Sequence, residues 1–214
     1  LIPVIDGAMP VIFNATRETE IVRALDLAKE YDLKAMIAGG HEASKQAARL
    51  KEQNVPVLVS ANLPKRTAAA HPEADSESLE ILRFRANAPK NAARLEAAGV
   101  KFAFQSDGLA NQNEFLANVR RSVENGLSET AAIKALTLGA AELLGISDRT
   151  GSIEAGKTAN LTVLSGNAMS KDAAVRYVLV GGKMFEQRAQ QPKPAAGGTV
   201  PATSVTPINV SGTY

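Results

Sequence analysis

The sequence predicts an α/β fold, in which a parallel sheet forms half of a (β/α)8 barrel and is followed by a strand-rich segment. Strand-like and helix-like patterns alternate from residue 10 to residue 143, which is typical of right-handed βαβ units and a parallel sheet. A complete barrel takes about 250 residues, and the four predicted units occupy about half of that length. An open doubly wound sheet is the alternative, but no glycine-rich phosphate motif follows Gly39-Gly40 or any other predicted strand end. A half barrel would leave two sheet edges to be covered.

Composition limits the possible partners. The chain has 214 residues, of which 45% are hydrophobic and 21% charged, and its net charge is +2 with the basic residues scattered. Nothing in this balance predicts nucleic-acid binding, and no apolar run approaches the roughly 20 residues that a membrane span needs. The chain contains no Cys, which excludes disulfides, thiol catalysis and Cys-based zinc sites and fits either the cytoplasm or an exported protein. Since the chain starts at Leu1 without an initiator Met or a signal peptide, we expect a processed product or a fragment.

The first part of the chain is built from short apolar strands and helices with one buried face. Ile21, Ala24, Leu25 and Ala28 recur at helical spacing, after Thr16 as a candidate cap. Strands are predicted at Pro10–Ala15, Lys34–Ala38, Val55–Ser60 and from Lys101 to Asp107; further helices at His41–Gln53, around Leu79–Leu82, around Ala92–Leu95 with Gly99 after its end, at Asn113–Glu124, and from a Ser128 cap to Gly145.

The pattern changes class after residue 148. Gly151–Lys157 is rich in turn residues, and strands are expected at Asn160–Leu164 and Val175–Val180. Gly181-Gly182 predicts a tight hairpin turn into Lys183–Glu186. From about Gln187 the chain is rich in Pro, Ala, Gly and Thr, with one strand-like stretch at residues 205–210. We therefore divide the chain into residues 1–148, 149–187 and a flexible linker or tail at 188–214.

The stretch Lys101–Gly108 is the first candidate for the site. Phe102 and Phe104 share one strand face, and the strand ends at Asp107 followed by a glycine. A carboxylate at the carboxyl end of a buried strand is where a β/α barrel places catalytic groups. An Asp before Gly is equally common as turn chemistry or as a helix cap, so both interpretations stay open at this point.

The other predicted strand ends present Asn14, Gly39 or His41, and Ser60. A His and an Asp from different strand ends can share one metal ion, and zinc hydrolases hold their metal with such ligands. His41 alone is more often a residue that starts a helix or makes a hydrogen bond. The connection from Ala61 to Asp75 is long enough for a lid or binding loop, and its His71 is more often solvated than part of a site.

Several stretches together resemble one family. Val11–Ala15, Met36–Ala43 and Phe102–Gly108 are similar to the fifth, sixth and eighth strands of the amidohydrolase superfamily barrel, closest to the imidazolonepropionase-like metal-dependent hydrolases. Gly126–Ser128, Ala135–Thr137 and Ala140–Gly145 are similar to the two helices after them. Gly151–Leu161 is similar to the start of the family's small β-sandwich, and its Gly-x-Ile-x-x-Gly-Lys-x-Ala pattern is the most specific of these likenesses.

The resemblance implies a carboxyl-terminal half-barrel, followed by part of a β-sandwich, from a hydrolase of C–N bonds such as amides, lactams or cyclic imides. It implies a divalent metal, with zinc expected, and Asp107 as a metal ligand that also takes a proton from water and returns it to the leaving nitrogen. His41 is the second candidate ligand. Asn14 and Ser60 are the candidate substrate-binding residues.

Two departures from the family pattern bear on this reading. Asn14 and Gly39 stand where the family's fifth and sixth strands usually supply His ligands. The resemblance also implies that the remaining ligands lie on an amino-terminal half, which would be a partner in cis or as a second chain. We expect a small-molecule substrate, an oligomer, and no activity from this segment alone. A degenerate barrel that serves as a binding or scaffolding module is the second interpretation, and an unrelated α/β binding domain in which Asp107 is only a turn residue is the third.

Overall fold

A computed structural model describes residues 2–66 and 77–186. Its main element is a sheet of four parallel strands in the order in which they occur in the chain. These strands are β1 (Val11–Ala15), β2 (Ala35–Gly39), β3 (Val57–Ser60) and β4 (Phe102–Gln105). The parallel α/β sheet predicted from the sequence is confirmed, with β1 and β4 as its two outer strands.

Helices connect and follow these strands. They are α1 (Ile2–Ile5), α2 (Glu18–Glu30), α3 (Ala47–Glu52), α4 (Leu79–Asn87), α5 (Asn91–Ala98), α6 (Glu114–Glu124), α7 (Glu129–Leu136) and α8 (Leu138–Leu143), with short 3-10 turns at Ala43–Gln46 and Ala88–Lys90. Within the described ranges, no helix has both the length and the apolar character that crossing a bilayer requires.

Strand register divides the sheet into two faces. Phe13, Ile37, Val57 and Phe102 lie in one row across the four strands, and they pack with α2, α3 and α5 in the main core. Its fully buried large side chains include Ile21, Leu25, Leu50 and Leu95, each of which contributes about 1.5–3 kcal/mol by leaving water. The opposite face carries a row formed by Asn14, Ala38, Leu58 and Ala103.

Helix ends follow the local chemistry in most places. The Ser128 hydroxyl oxygen accepts the Ala131 N–H at 3.1 Å and caps α7, as predicted. Gly99 has φ +71° after α5, the left-handed conformation expected there. The predicted Thr16 cap is wrong, because Arg17 is the residue at the N-cap position of α2. The Glu20 carboxylate accepts the backbone N–H groups of Thr16 and Arg17 there.

Three predicted helices differ in the structure. The stretch from Ser128 to Gly145 is two helices, since Thr137 leaves helical geometry at φ −130°, ψ −104°. The helix predicted at His41–Gln53 begins as a 3-10 turn. In α4 the apolar pattern around Leu79–Leu82 does not mark a buried face, because no residue of α4 is buried.

The segment after α8 forms a second sheet of three antiparallel strands: β5 (Leu161–Leu164), β6 (Val175–Val180) and β7 (Lys183–Glu186). Gly181 and Gly182 have φ +57° and +83° and make the two-residue hairpin turn that was predicted. The side chains of Val163, Val180 and Phe185 are exposed. The described residues thus contribute one open sheet, and the β-sandwich stays a prediction. The tail at 188–214 and the stretch at 205–210 lie outside the described residues.

Candidate functional site

The carboxyl ends of the four parallel strands meet at one edge of the sheet, and all four site residues predicted from the sequence lie at that edge. Asn14 is in β1 and Ser60 ends β3. His41 follows β2 by two residues, and Asp107 follows β4 by two residues with its side chain exposed. These four residues bring a carboxylate, an imidazole, an amide and a hydroxyl to the edge where β/α enzymes carry their chemistry.

Hydrogen bonds tie the ends of β3 and β4 together. The Ser60 hydroxyl donates to the Asp107 backbone carbonyl at 3.4 Å and accepts the Asn62 N–H at 3.1 Å. The Asn62 side-chain Nδ2 donates to the Gly108 carbonyl at 2.8 Å. Ser60 is only 5% exposed, and its hydroxyl oxygen holds the turn that carries Asp107. A direct contact between Ser60 and substrate stays a prediction.

His41 also contacts Asn62. Its Nε2 lies 2.9 Å from the Asn62 backbone carbonyl oxygen. Because a carbonyl can only accept, Nε2 carries the proton and Nδ1 of the neutral ring has a lone pair. Burial lowers the pKa of His41; its hydrogen bond to Asn62 opposes this, and the positive charge of Arg17 adds to the lowering. His41 is therefore a neutral imidazole at pH 7.

The free nitrogen of His41 is enclosed. Nδ1 is buried and has no hydrogen-bond partner, and the ring centre lies 5.6 Å from that of Phe84 in α4. A metal-bound His commonly donates its second N–H to a backbone carbonyl, as Nε2 does here. This tautomer would suit a metal ligand. Nδ1, however, is buried and is not accessible from the ends of the strands. The role of His41 as a metal ligand stays a prediction.

The position expected for a sixth-strand ligand is tight for a side chain. Gly39 has φ +92°, and a Cβ atom there would lie 3.0 Å from Thr16 Oγ1 and 3.4 Å from Asn14 Oδ1. Both the backbone conformation and the neighbouring oxygens favour glycine. Asn14 itself is exposed at the end of β1, and its role in substrate binding stays a prediction.

The described residues do not fit a metal centre on their own. Among residues 2–66 and 77–186, no group of three or more His, Cys, Asp or Glu side chains is placed to hold a metal ion. A catalytic zinc site uses three protein ligands and one open position. A zinc ion held in this way would therefore need at least one ligand from outside the described residues.

A cavity of about 640 Å3 lies at the opposite edge of the sheet, where the strands begin. It is lined by residues just before the strands, including Pro10, Lys34, Pro56 and Lys101, and by Glu142 of α8. In β/α barrels the amino-terminal face serves stability and the carboxyl-terminal face serves chemistry. We therefore assign the site to the strand carboxyl ends.

Sequence reasoning missed three residues at this edge. Asn62 is a polar residue just beyond a predicted strand end, and that position is a signal that could have identified it. Phe84 and Arg17 gave no local signal, because they meet only when α4 folds back over the ends of β1 and β2. His71 lies outside the described residues.

Comparisons with known proteins agree with the architecture. An amidohydrolase from Thermotoga maritima MSB8 is similar at a TM-score of 0.73 and 29% identity, over 86% of this chain and 45% of that one. A prolidase solved with N-methylphosphonate-L-proline matches at a TM-score of 0.65 and 22% identity, over 86% of this chain and 47% of its own. An adenosine deaminase from Xanthomonas campestris with bound zinc matches at a TM-score of 0.55 and 22% identity, over 83% of this chain and 45% of that one.

The chain spans less than half the length of each of these three structures, which is consistent with the predicted half barrel. No curated protein matches the chain. The sequence model described as the amidohydrolase family matches residues 6–185. The strand-end geometry, the structural neighbours and this match lead to one conclusion: the chain belongs to the amidohydrolase family.

Proposed function

We propose that this chain is the carboxyl-terminal half of a hydrolase that acts on C–N bonds of a small molecule, such as an amide, lactam or cyclic imide. The position of Asp107 is the observation that carries the proposal. Its carboxylate is exposed at the carboxyl end of β4, on a turn that is tied to the end of β3 through Ser60 and Asn62. An exposed acid on a fixed turn suits proton transfer at this edge of a barrel.

Asp107 would act as both base and acid. Its carboxylate takes a proton from the attacking water, and the protonated carboxyl group then gives that proton to the leaving nitrogen. The exposed Asn14 amide lies at the same edge and would orient polar groups of the substrate. Members of the family are generally metal-dependent, and zinc is the metal we expect, with ligands supplied from outside the described residues.

The test uses the full-length protein that contains this chain. We expect hydrolysis of at least one compound in a panel of amides, lactams and cyclic imides, and a loss of about 100-fold or more in kcat for Asp107→Asn. Asp148→Asn removes another exposed acid, in the turn after α8, and should leave the rate unchanged. Stoichiometric metal content would be measured on the same samples. A protein with no metal and no turnover on the panel would contradict the proposal.

The second candidate is a degenerate barrel that binds a small molecule or a protein without turning it over. Asn14 and Gly39 favour it, since neither replaces a missing imidazole and a Cβ atom at Gly39 would lie 3.0 Å from Thr16 Oγ1. A ligand that raises the melting temperature of the full-length protein without being consumed would support this candidate. Measurable turnover that is lost on chelation would refute it.

We also propose that an amino-terminal half-barrel, in cis or as a second chain, covers the inner face of the sheet, which is the face that carries Asn14 and Ala38. Ile12 on this face is 52% exposed, and β1 and β4 are sheet edges with backbone groups free to pair. Alone, the segment should be inactive and should oligomerise or aggregate. A stable monomer on size-exclusion chromatography would contradict this expectation.

A further inference from the structure

Asn62 connects three of the four strand ends at the candidate site. Its backbone carbonyl accepts from His41 Nε2 at 2.9 Å, after β2. Its backbone N–H donates to Ser60 Oγ at 3.1 Å, at the end of β3. Its side-chain Nδ2 donates to the Gly108 carbonyl at 2.8 Å, after β4. One residue thus spans the edge on which Asp107 stands.

The contact with Gly108 is close and depends on glycine. Gly108 has φ +75°, and a Cβ atom there would lie 2.8 Å from Asn62 Nδ2. A side chain at this position would displace the amide and break the bond to the carbonyl. Asn62 therefore packs closely against Gly108, the residue that follows Asp107 in the turn.

Residues at the end of β3 also make hydrogen bonds to the turn. The Ser60 hydroxyl donates to the Asp107 carbonyl at 3.4 Å, and the Ala61 N–H donates to the Gln105 carbonyl at 2.9 Å. Within the turn, the Leu109 N–H donates to the Ser106 carbonyl at 3.2 Å. All of these bonds involve backbone atoms of the segment 105–109, so the position of the Asp107 carboxylate is set by where the backbone is anchored.

We propose that Asn62 is a positioning residue for Asp107, which it holds over the strand ends by bridging the His41 ring and the Gly108 carbonyl. This inference rests on the proposed acid–base role of Asp107. Asn62 does not itself transfer a proton. Its loss should lower kcat, because the carboxylate samples more positions, and should leave KM close to that of the parent protein.

The experiment combines hydrogen exchange with kinetics on the full-length protein. Asn62→Ala should speed exchange of the Leu109 amide, which donates to the Ser106 carbonyl within the turn, by about tenfold or more, the effect of losing one well-made hydrogen bond, and should lower kcat. Asn62→Asp keeps the size and the backbone bonds but loses the Nδ2 donor, so it serves if the alanine variant fails to fold. Asn125→Ala is the matched control, since Asn125 Nδ2 also donates to a backbone carbonyl, that of Arg121, but at the carboxyl end of α6.

A double-mutant cycle isolates the contact. Gly108→Ala should loosen the turn strongly in the parent protein and less in the Asn62→Ala background, where the clash with Nδ2 is gone. Additive effects, unchanged exchange in both Asn62 variants, or faster exchange with unchanged kcat would each overturn the inference. If the parent protein shows no turnover, the proposed function fails, and the exchange measurement alone then decides whether Asn62 holds the turn.

Discussion

The guanidinium carbon of Arg17 lies 3.7 Å from the centre of the Phe84 ring. Arg17 follows β1 and Phe84 is in α4, so this contact joins two elements that are far apart in sequence. The same ring lies beside His41, and Arg17 also pairs with Glu80 at 3.7 Å. No residue of α4 is buried, so the Phe84 ring and the Arg17–Glu80 pair are contacts that connect α4 with the residues after β1 and β2.

Phe84→Ala should therefore release α4 from the strand ends. We expect faster amide exchange across Leu79–Asn87 and a loss of about 1–2 kcal/mol in the free energy of unfolding, from the cation–π and ring contacts together. Phe185→Ala is the control, because that ring is exposed in β7 and Lys183 Nζ lies 5.5 Å from its centre. Equal effects of the two substitutions would show that α4 is held by other contacts.

Gly39→Ala should destabilise the protein more than Gly156→Ala, by about 1 kcal/mol or more. The two glycines have nearly the same φ, +92° and +90°, but a Cβ at Gly39 meets Thr16 Oγ1 at 3.0 Å and one at Gly156 meets nothing within 4 Å. The pair separates the cost of the contact from the cost of the backbone conformation. Chemical unfolding of both variants measures the difference in the free energy of unfolding. A smaller loss for Gly39→Ala than for Gly156→Ala would contradict the geometry.

For the same reason, Gly39→His should not install a metal ligand. We expect the variant to lose stability, with no gain in bound metal measured on the purified protein. A stable Gly39→His protein that takes up one equivalent more of zinc than the parent would show that the strand end can rearrange.

Leu25→Ala should cost about 2–5 kcal/mol, because Leu25 is fully buried between α2 and the sheet. Leu27→Ala in the same helix removes a side chain that is 44% exposed and should cost much less. Urea titrations of both variants give the comparison. Similar midpoints would mean that α2 does not pack on the sheet through the face described.

The carboxylate of Glu20 makes the start of α2 sensitive to pH. The backbone N–H groups of Arg17 and Thr16 hold the pKa of Glu20 below its ordinary value of 4.5. A lowered folded-state pKa gives stability that is present above pH 4.5 and is lost as pH falls through the folded-state value. Glu20→Gln should therefore lower the melting temperature at neutral pH, and the difference from the parent should shrink below pH 4.5.

The control for this prediction is Glu30→Gln, which removes a carboxylate from the other end of α2. Negative charge is unfavourable at a helix carboxyl end, so this variant should not lose stability at neutral pH. A melting-temperature difference for Glu20→Gln that stays constant with pH would contradict the capping role of the charged carboxylate.

Much of the sheet and of its helices could be predicted because the signal is local. The apolar run at Val11–Ala15, the alternation at Phe102–Gln105 and the helical repeat of Ile21, Leu25 and Ala28 reflect which parts of each element are buried. The Gly181-Gly182 turn and the Ser128 cap are also local chemistry. By contrast, the break between α7 and α8 at Thr137 was not predicted, since the apolar repeat continues across it and Thr137 is neither Gly nor Pro.

The sequence by itself determined that strand ends carrying Asn14, His41, Ser60 and Asp107 should share one edge, because parallel strands place their carboxyl ends together. Only the tertiary structure decided what those groups do to one another. It turned His41 Nε2 to the Asn62 carbonyl, enclosed Nδ1, and placed oxygens where a side chain at Gly39 would lie. These outcomes depend on distances between residues from different strands, and such distances are fixed by packing rather than by spacing along the chain.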